Sequence, residues 1–306
     1  MRKTLIVLLV VALLFVAGTY IFIPSVISIS SVRLVKATAG NVNNSLHDRA
    51  KWKSWWPAKH EFTEQGYDYH LTTPLADGAE IELNKDGRKY MTRLSILPYS
   101  KDTVALQWQT SVHSGLFPIT RIARYRQAID LKKSIDTVLN SLGNFSASTK
   151  NIYGFDIVRT TFTDTVLAAT RFSGAAYPSV QRIYAAVDQL KEKIAAAGAK
   201  EKDYPMLHVN ASNGQYETMI AICVDHEVAN DAFLFTSRMV PMKDRFLAAD
   251  VTGGPWTLIQ AHKAMLQYMQ DRFLSQPAIP FEILITDRSK ERDTAKWKTR
   301  ICYPSM

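Results

Sequence analysis

Cysteine is nearly absent from this chain: of 306 residues only Cys223 and Cys302 are cysteines. Two thiols exclude a disulfide framework and a cysteine-based metal cluster. Both sit in apolar, strand-like runs (Ile220-Ala221-Ile222-Cys223 and Ile301-Cys302-Tyr303), which leaves open a single bridge or two buried free thiols. The seven histidines are scattered, and none shares metal-ligand spacing with another histidine or cysteine, so neither a metal nor a cofactor is expected. Also missing are the Gly-x-Ser-x-Gly nucleophile elbow, the phosphate-cradling Gly-x-x-x-x-Gly-Lys and the His-Glu-x-x-His metalloprotease stretch. No catalytic residue is assigned on these grounds.

Long hydrophobic runs are also scarce, with one exception. Met1-Arg2-Lys3 precedes an uncharged run over residues 5–23, dense in Leu, Val, Ile and Phe. Nineteen residues at the helical rise span about 28 Å, the thickness of a hydrocarbon core. A secretory signal has a shorter apolar run and a small-x-small cleavage site, for which Ala17-Gly18 is a poor candidate. An uncleaved single-pass anchor over residues 1–27 is therefore expected. Arg2 and Lys3 favour a cytoplasmic N-terminus, weakly opposed by Arg33 and Lys36. The bulk of the chain then lies on the outer face of the membrane, periplasmic in a Gram-negative cell.

The rest is globular in composition, 47% hydrophobic and 21% charged, and long enough for two domains. The net charge of +9 is lopsided: 19 Lys/Arg against 11 Asp/Glu in residues 1–150, and 18 against 17 in residues 151–306. The basic excess lies beside the membrane segment and suits a solvated face or anionic headgroups. Zinc-finger spacing, an RNA-binding signature and a basic coiled coil are all lacking, so no nucleic acid partner is expected.

Alternating β-branched residues over 28–36 predict a first strand, and 39–48 a short helix, followed by Trp52-Lys53-Ser54-Trp55-Trp56-Pro57. Strands follow over 67–72, 80–83, 90–97 and 104–112, with Asp77-Gly78 and Asp86-Gly87 as turns. Ile122, Tyr125, Ile129, Ile135, Val138, Leu139 and Leu142 recur at helical spacing and predict a long helix closing this domain. The Ser/Thr/Asn-rich stretch 143–151 is expected to be a linker. Beyond it lies an internal repeat. Gly174 and Gly253 are 79 positions apart, as are Tyr177 and Trp256, while Pro205 and Pro280 are 75 apart. Each copy reads strand–helix–strand–strand, and pairing them makes one sheet with two helices on a face and a groove between the copies.

These residues resemble two families. The aromatic loop from Asp48 to Pro57, with the segments Phe117-Pro-Ile-Thr-Arg and Leu131-Lys-Lys-Ser-Ile-Asp, is similar to START-like domains of the SRPBCC superfamily. That resemblance implies an antiparallel sheet gripping a long C-terminal helix over 28–145, with an apolar cavity between them. Gly253-Gly254-Pro255-Trp256, Pro280-Phe281-Glu282-Ile283 and Thr299-Arg300-Ile301-Cys302-Tyr303-Pro304, in that order, resemble the GyrI-like small-molecule-binding domain shared with AraC-type effector domains. The expected organisation is thus α+β: an anchor at 1–27, a START-like helix-grip domain at 28–145, a linker at 146–154 and a duplicated βαββ GyrI-like domain at 155–306. The chain departs from the second family in having Val251-Thr252 where a His is usual, and no helix-turn-helix domain precedes it.

Glu282 leads the candidate site residues, because a carboxylate inside the apolar run 279–285 needs a partner if buried. The alternatives are a solvent-facing acid and one paired with an arginine. In the resembled family the matching acid faces the pocket and meets cationic aromatic ligands. Trp256 and Tyr177, at equivalent places before the two helices, offer ring faces to an aromatic or cationic ligand or simply pack in the core. Tyr303 and Trp297 flank the last strand. Trp52, Trp55 and Trp56 suit the mouth of the first cavity, the membrane interface or a structural cluster under the long helix. The reading that results is a membrane-anchored, non-catalytic receptor for small hydrophobic or cationic aromatic molecules. The competitors are a hydrolase of electrophilic small molecules with Glu282 as general base, and a scaffold for a protein partner.

Overall fold

The computed structural model describes residues 2–58, 62–163, 165–239 and 242–306, and the chain divides into two units, Met1–Ser148 and Thr149–Met306. The first begins with α1 (Arg2–Phe22), and its stretch Lys3–Phe22 is long and apolar enough to cross a membrane. After it come β1 (Val26–Val35), α2 (Ala39–His47), α3 (Arg49–Trp55), β2 (Thr63–Glu64), β3 (Tyr67–Leu75), β4 (Gly78–Lys85), β5 (Arg88–Ser100), β6 (Thr103–His113) and α4 (Pro118–Ala147). The strands form one antiparallel sheet in the order β1-β6-β5-β4-β3-β2.

Local chemistry sets these boundaries. Thr38 accepts a hydrogen bond from the Asn41 amide to cap α2, and Asp48 accepts one from Ala50 to cap α3. Asp86 and Gly87 both have positive φ, the geometry of the tightest hairpin turn. Pro118 opens α4, where its missing N–H costs nothing. The inner face of α4 is Ala128, Leu131, Ile135, Val138, Leu139 and Leu142. Tyr125 and Ile129, expected on that stripe, are instead partly exposed. The expected linker is mostly helical: α4 runs to Ala147 and α5 takes Thr149–Tyr153. Its Ser, Thr and Asn residues disguise a helix end.

The space between α4 and the sheet is filled by rings. Trp52, Trp108, Tyr67 and Tyr69 are fully buried there. The Tyr69 hydroxyl meets Ser134 Oγ of α4 at 2.7 Å, and Trp108 Nε1 donates to Thr92 Oγ1 at 2.8 Å. The polar groups of these four rings thus all find partners.

In the second unit, after α5, come β7 (Val158–Phe162), β8 (Thr165–Gly174), α6 (Val180–Ala196), β9 (Met206–Ser212), β10 (Gln215–Val224), β11 (Phe235–Met239), β12 (Met242–Thr252), α7 (Pro255–Asp271), β13 (Phe281–Leu284) and β14 (Lys298–Pro304). One eight-stranded sheet runs β11-β8-β10-β9-β13-β14-β12-β7. Its centre is the repeat itself: β8-α6-β9-β10 and β12-α7-β13-β14 meet in mirrored order at the β9–β13 seam. That seam is short, with only Glu282↔Leu207 and Ile283↔Met206 in register. The outer strands β7 and β11 were not expected, being five residues each with little apolar alternation. Period-2 alternation sends Leu207, Ile220, Ile222 and Leu284 to the core under α6, and Leu247, Ile301 and Tyr303 to that under α7. The opposite face buries Met206, Ala221, Cys223, Ile283 and Cys302. Both thiols are free, and burial pushes them up to about 11 for Cys223 and about 12 for Cys302.

Candidate functional site

Where the two helices diverge over the seam, a cleft of about 620 Å³ opens, lined by Tyr177, Ile183, Leu207, Leu258, Ile259, His262, Phe281, Glu282, Arg288, Trp297 and Tyr303, among others. The repeat makes it. Ser179 caps α6 by accepting from the Arg182 amide, and Gly253-Gly254-Pro255 turns β12 sharply into α7. Gly253 has φ +146, and a Cβ there would stand 2.5 Å from Thr257 Oγ1, so the turn requires glycine. Leu258 and His262, one turn apart on α7, then share the face toward the cleft.

Glu282 stands in the middle of β13 on the helix-bearing face, with its side chain only 13% exposed. Its Oε1 lies 3.3 Å from His262 Nε2, and its Oε2 lies 3.2 Å from Arg288 Nη2. The same Nη2 donates to Thr299 Oγ1 at 2.7 Å, and the guanidinium lies 5.1 Å from the centre of the Trp297 ring. Arg288 Nε is buried and has no hydrogen-bond partner among the described residues. Burial by itself would raise the Glu282 carboxyl. The His262 hydrogen bond and the Arg288 charge outweigh it and hold the carboxyl below the usual range. Beyond His262 the network continues, with Nδ1 2.8 Å from the Tyr303 hydroxyl. If Nε2 carries the proton toward Glu282, Nδ1 accepts from that hydroxyl. Burial, and after it the charge of Glu282, pushes Tyr303 up to about 12, so the phenol stays protonated and can donate. The cleft is thus an apolar, ring-lined space with one polar line through its floor, and the one formal negative charge there is matched by a buried positive one.

Of the residues singled out from sequence, Glu282, Tyr177, Tyr303 and Trp297 all line the cleft. Tyr177 stands at the rim, half-exposed, with its ring centre 5.8 Å from that of Tyr216. Trp256 does not line the cleft; it is 69% exposed at the start of α7. The 79-residue spacing misled because α6 begins three residues after Tyr177, whereas Trp256 already lies within the first turn of α7. The helical period turns it away. Trp52 and Trp55 are buried and Trp56 packs against the same core, so these rings form a structural cluster under the long helix. The sequence reading missed His262 and Arg288. The signal for Arg288 was the buried acid itself, since a buried carboxylate calls for a cation within reach, and Arg288 is six positions on. Nothing marked His262 apart from its place one turn after Leu258.

No family model matches the chain, and no curated protein does. Solved structures match it at low identity. The EcmrR C-terminal domain is 14% identical, covering 50% of this chain and 98% of its own, with a TM-score of 0.42. The structure of SAV2435 bound to tetraphenylphosphonium is 13% identical, covering 50% and 93%, with a TM-score of 0.31. A START superfamily protein from Mycobacterium smegmatis is 19% identical, covering 38% and 98%, with a TM-score of 0.26.

Proposed function

We propose that the chain is a membrane-anchored, non-catalytic receptor whose second unit holds small hydrophobic or cationic aromatic molecules in the cleft between α6 and α7. The observation that carries this is Glu282, buried and held ionised on the floor of an otherwise aromatic and aliphatic cleft of about 620 Å³. Cleft volume and lining are those of small-molecule sites, where a few convergent polar groups orient an apolar ligand. Tyr177 and Trp297 supply faces for an aromatic ring.

The same network counts against a hydrolase. A general base needs a pKa near the working pH. The Glu282 carboxyl is shifted the other way, held ionised by the His262 hydrogen bond and the Arg288 charge against the pull of burial. In this reading α1 spans the bilayer with Arg2 and Lys3 on the cytoplasmic side, and the rest of the first unit and the whole of the second lie outside.

Ile259 tests the cleft without touching the network. It lines the cleft yet is 46% exposed, so a lysine there is tolerated by the fold. Ile259→Lys is expected to weaken binding of tetraphenylphosphonium about tenfold, roughly 1.4 kcal/mol, with an unchanged melting temperature. Titration calorimetry on the full chain in detergent measures this. Unchanged affinity would place the ligand elsewhere.

A further inference from the structure

The loop between β6 and α4, with the first turn of that helix, carries three large apolar side chains in four positions, and all are open: Leu116 is 84% exposed, Phe117 74% and Ile119 80%. Single exposed hydrophobics are ordinary, but a cluster on one short loop calls for a partner. Its place in the fold supplies one. The Tyr20 hydroxyl, in the last turn of α1, donates to the Leu116 carbonyl. The Arg121 guanidinium lies over the Tyr20 ring, 4.5 Å from its centre, and Arg121 Nε donates to Ser114 Oγ at 3.1 Å. Ser114 in turn donates from its amide to the Ser25 carbonyl at 2.9 Å and from its hydroxyl to the Pro24 carbonyl at 2.7 Å. The loop is therefore clamped to the end of α1 by side chains from both elements.

We infer that Leu116, Phe117 and Ile119 form a wedge that enters the headgroup–acyl boundary of the bilayer crossed by α1. The inference rests on the anchor reading and deepens it. A span over Lys3–Phe22 covers about 30 Å, the full hydrocarbon thickness. Tyr20 then sits at the interface, where tyrosine is favoured, and the clamp holds Leu116 at the same depth. A loop fixed there must either bury its apolar side chains in lipid or hold them against headgroups. The basic excess of the N-terminal half, including the exposed Arg126 just inside α4, suits anionic lipid beside the wedge. The wedge adds a second point of attachment, so unit 1 would stand at a fixed height and tilt on the membrane.

The test uses the full chain with Cys223→Ala and Cys302→Ala, reconstituted into phosphatidylcholine vesicles with a minor share of phosphatidylglycerol. Phe117→Cys carries an environment-sensitive nitrobenzoxadiazole label. Lys101→Cys, in the turn at the far end of β6, is the control, about 30 Å along the strand. The label at 117 is expected to shift to the blue and to be quenched by lipid spin-labelled near the headgroup, and the label at 101 to do neither. Flotation of the protein with the vesicles after alkaline carbonate reads the anchor independently. Flotation with a solvent-like label at 117 overturns the wedge and leaves the anchor standing. Loss of flotation overturns both.

Discussion

Arg288→Met is expected to cost the second unit about 3–5 kcal/mol at neutral pH, the penalty for leaving one member of a buried ion pair alone. The side chains of Glu282 and Arg288 are 13% and 7% exposed, so water replaces the lost partner only in part. The penalty has a definite pH dependence. In the parent chain the folded carboxyl is depressed, so its contribution is present above the unfolded carboxyl pKa, about 4.3, and fades as pH falls through the lower folded value. Without Arg288, burial, already the largest single influence, is opposed only by His262, and the folded carboxyl moves upward. The gap between parent and variant therefore opens as pH rises through the carboxylate range, and the two proteins converge in acid. Peptide-resolved hydrogen exchange over β13 and β14 reads this unit without assuming that both units unfold together. A small deficit that does not change with pH would mean that the pair is not a buried, coupled one.

Trp52→Ala is the largest change expected in the first unit, about 3–5 kcal/mol. Trp52 has no exposed surface. Its ring lies parallel to that of Trp56 with centres 5.5 Å apart, and meets Phe62 edge-on at 5.4 Å. Its Nε1 donates to the Leu46 carbonyl at 2.7 Å. Truncation leaves a cavity, removes three ring contacts, the third being with Trp55 at 5.4 Å, and strands a buried carbonyl at the end of α2. Trp52→Phe is expected to recover the packing in part but not the hydrogen bond. Exchange in β3–β6 is expected to rise while α7 and β13 are unaffected. An unchanged first unit with altered ligand or vesicle binding would instead return these tryptophans to a binding role.

Much of this architecture was legible because its signals are local. The apolar run, the Asp-Gly turns and the helical spacing before Leu142 each fix an element within a few residues. The duplication was legible because Gly174 and Gly253 stand at matching strand ends ahead of the two helices, although only Gly253 has the positive φ that requires glycine. What sequence could not show is what crosses the chain. His262 reaches Glu282 from another element, and Tyr303 meets His262 from the last strand. Trp256 went astray for a related reason: a shift of a few residues in where a helix starts rotates a side chain out of the cleft. Pairing of Glu282 with an arginine was among the alternatives but the arginine was not named; it is Arg288, and it changes the electrostatics from a lone anion to a matched pair.

The central claim is that the α6–α7 cleft binds aromatic ligands with Glu282 balancing Arg288 beneath them. Titration of the parent chain and Glu282→Gln with tetraphenylphosphonium and with uncharged triphenylphosphine oxide tests it most directly. The glutamine keeps the shape but leaves the Arg288 charge unbalanced under the ligand. The cation is expected to lose more than about tenfold in affinity, over 1.4 kcal/mol, and the neutral compound to change little. Failure of the parent chain to bind either compound, or equal affinities for the cation in both proteins, would contradict the account.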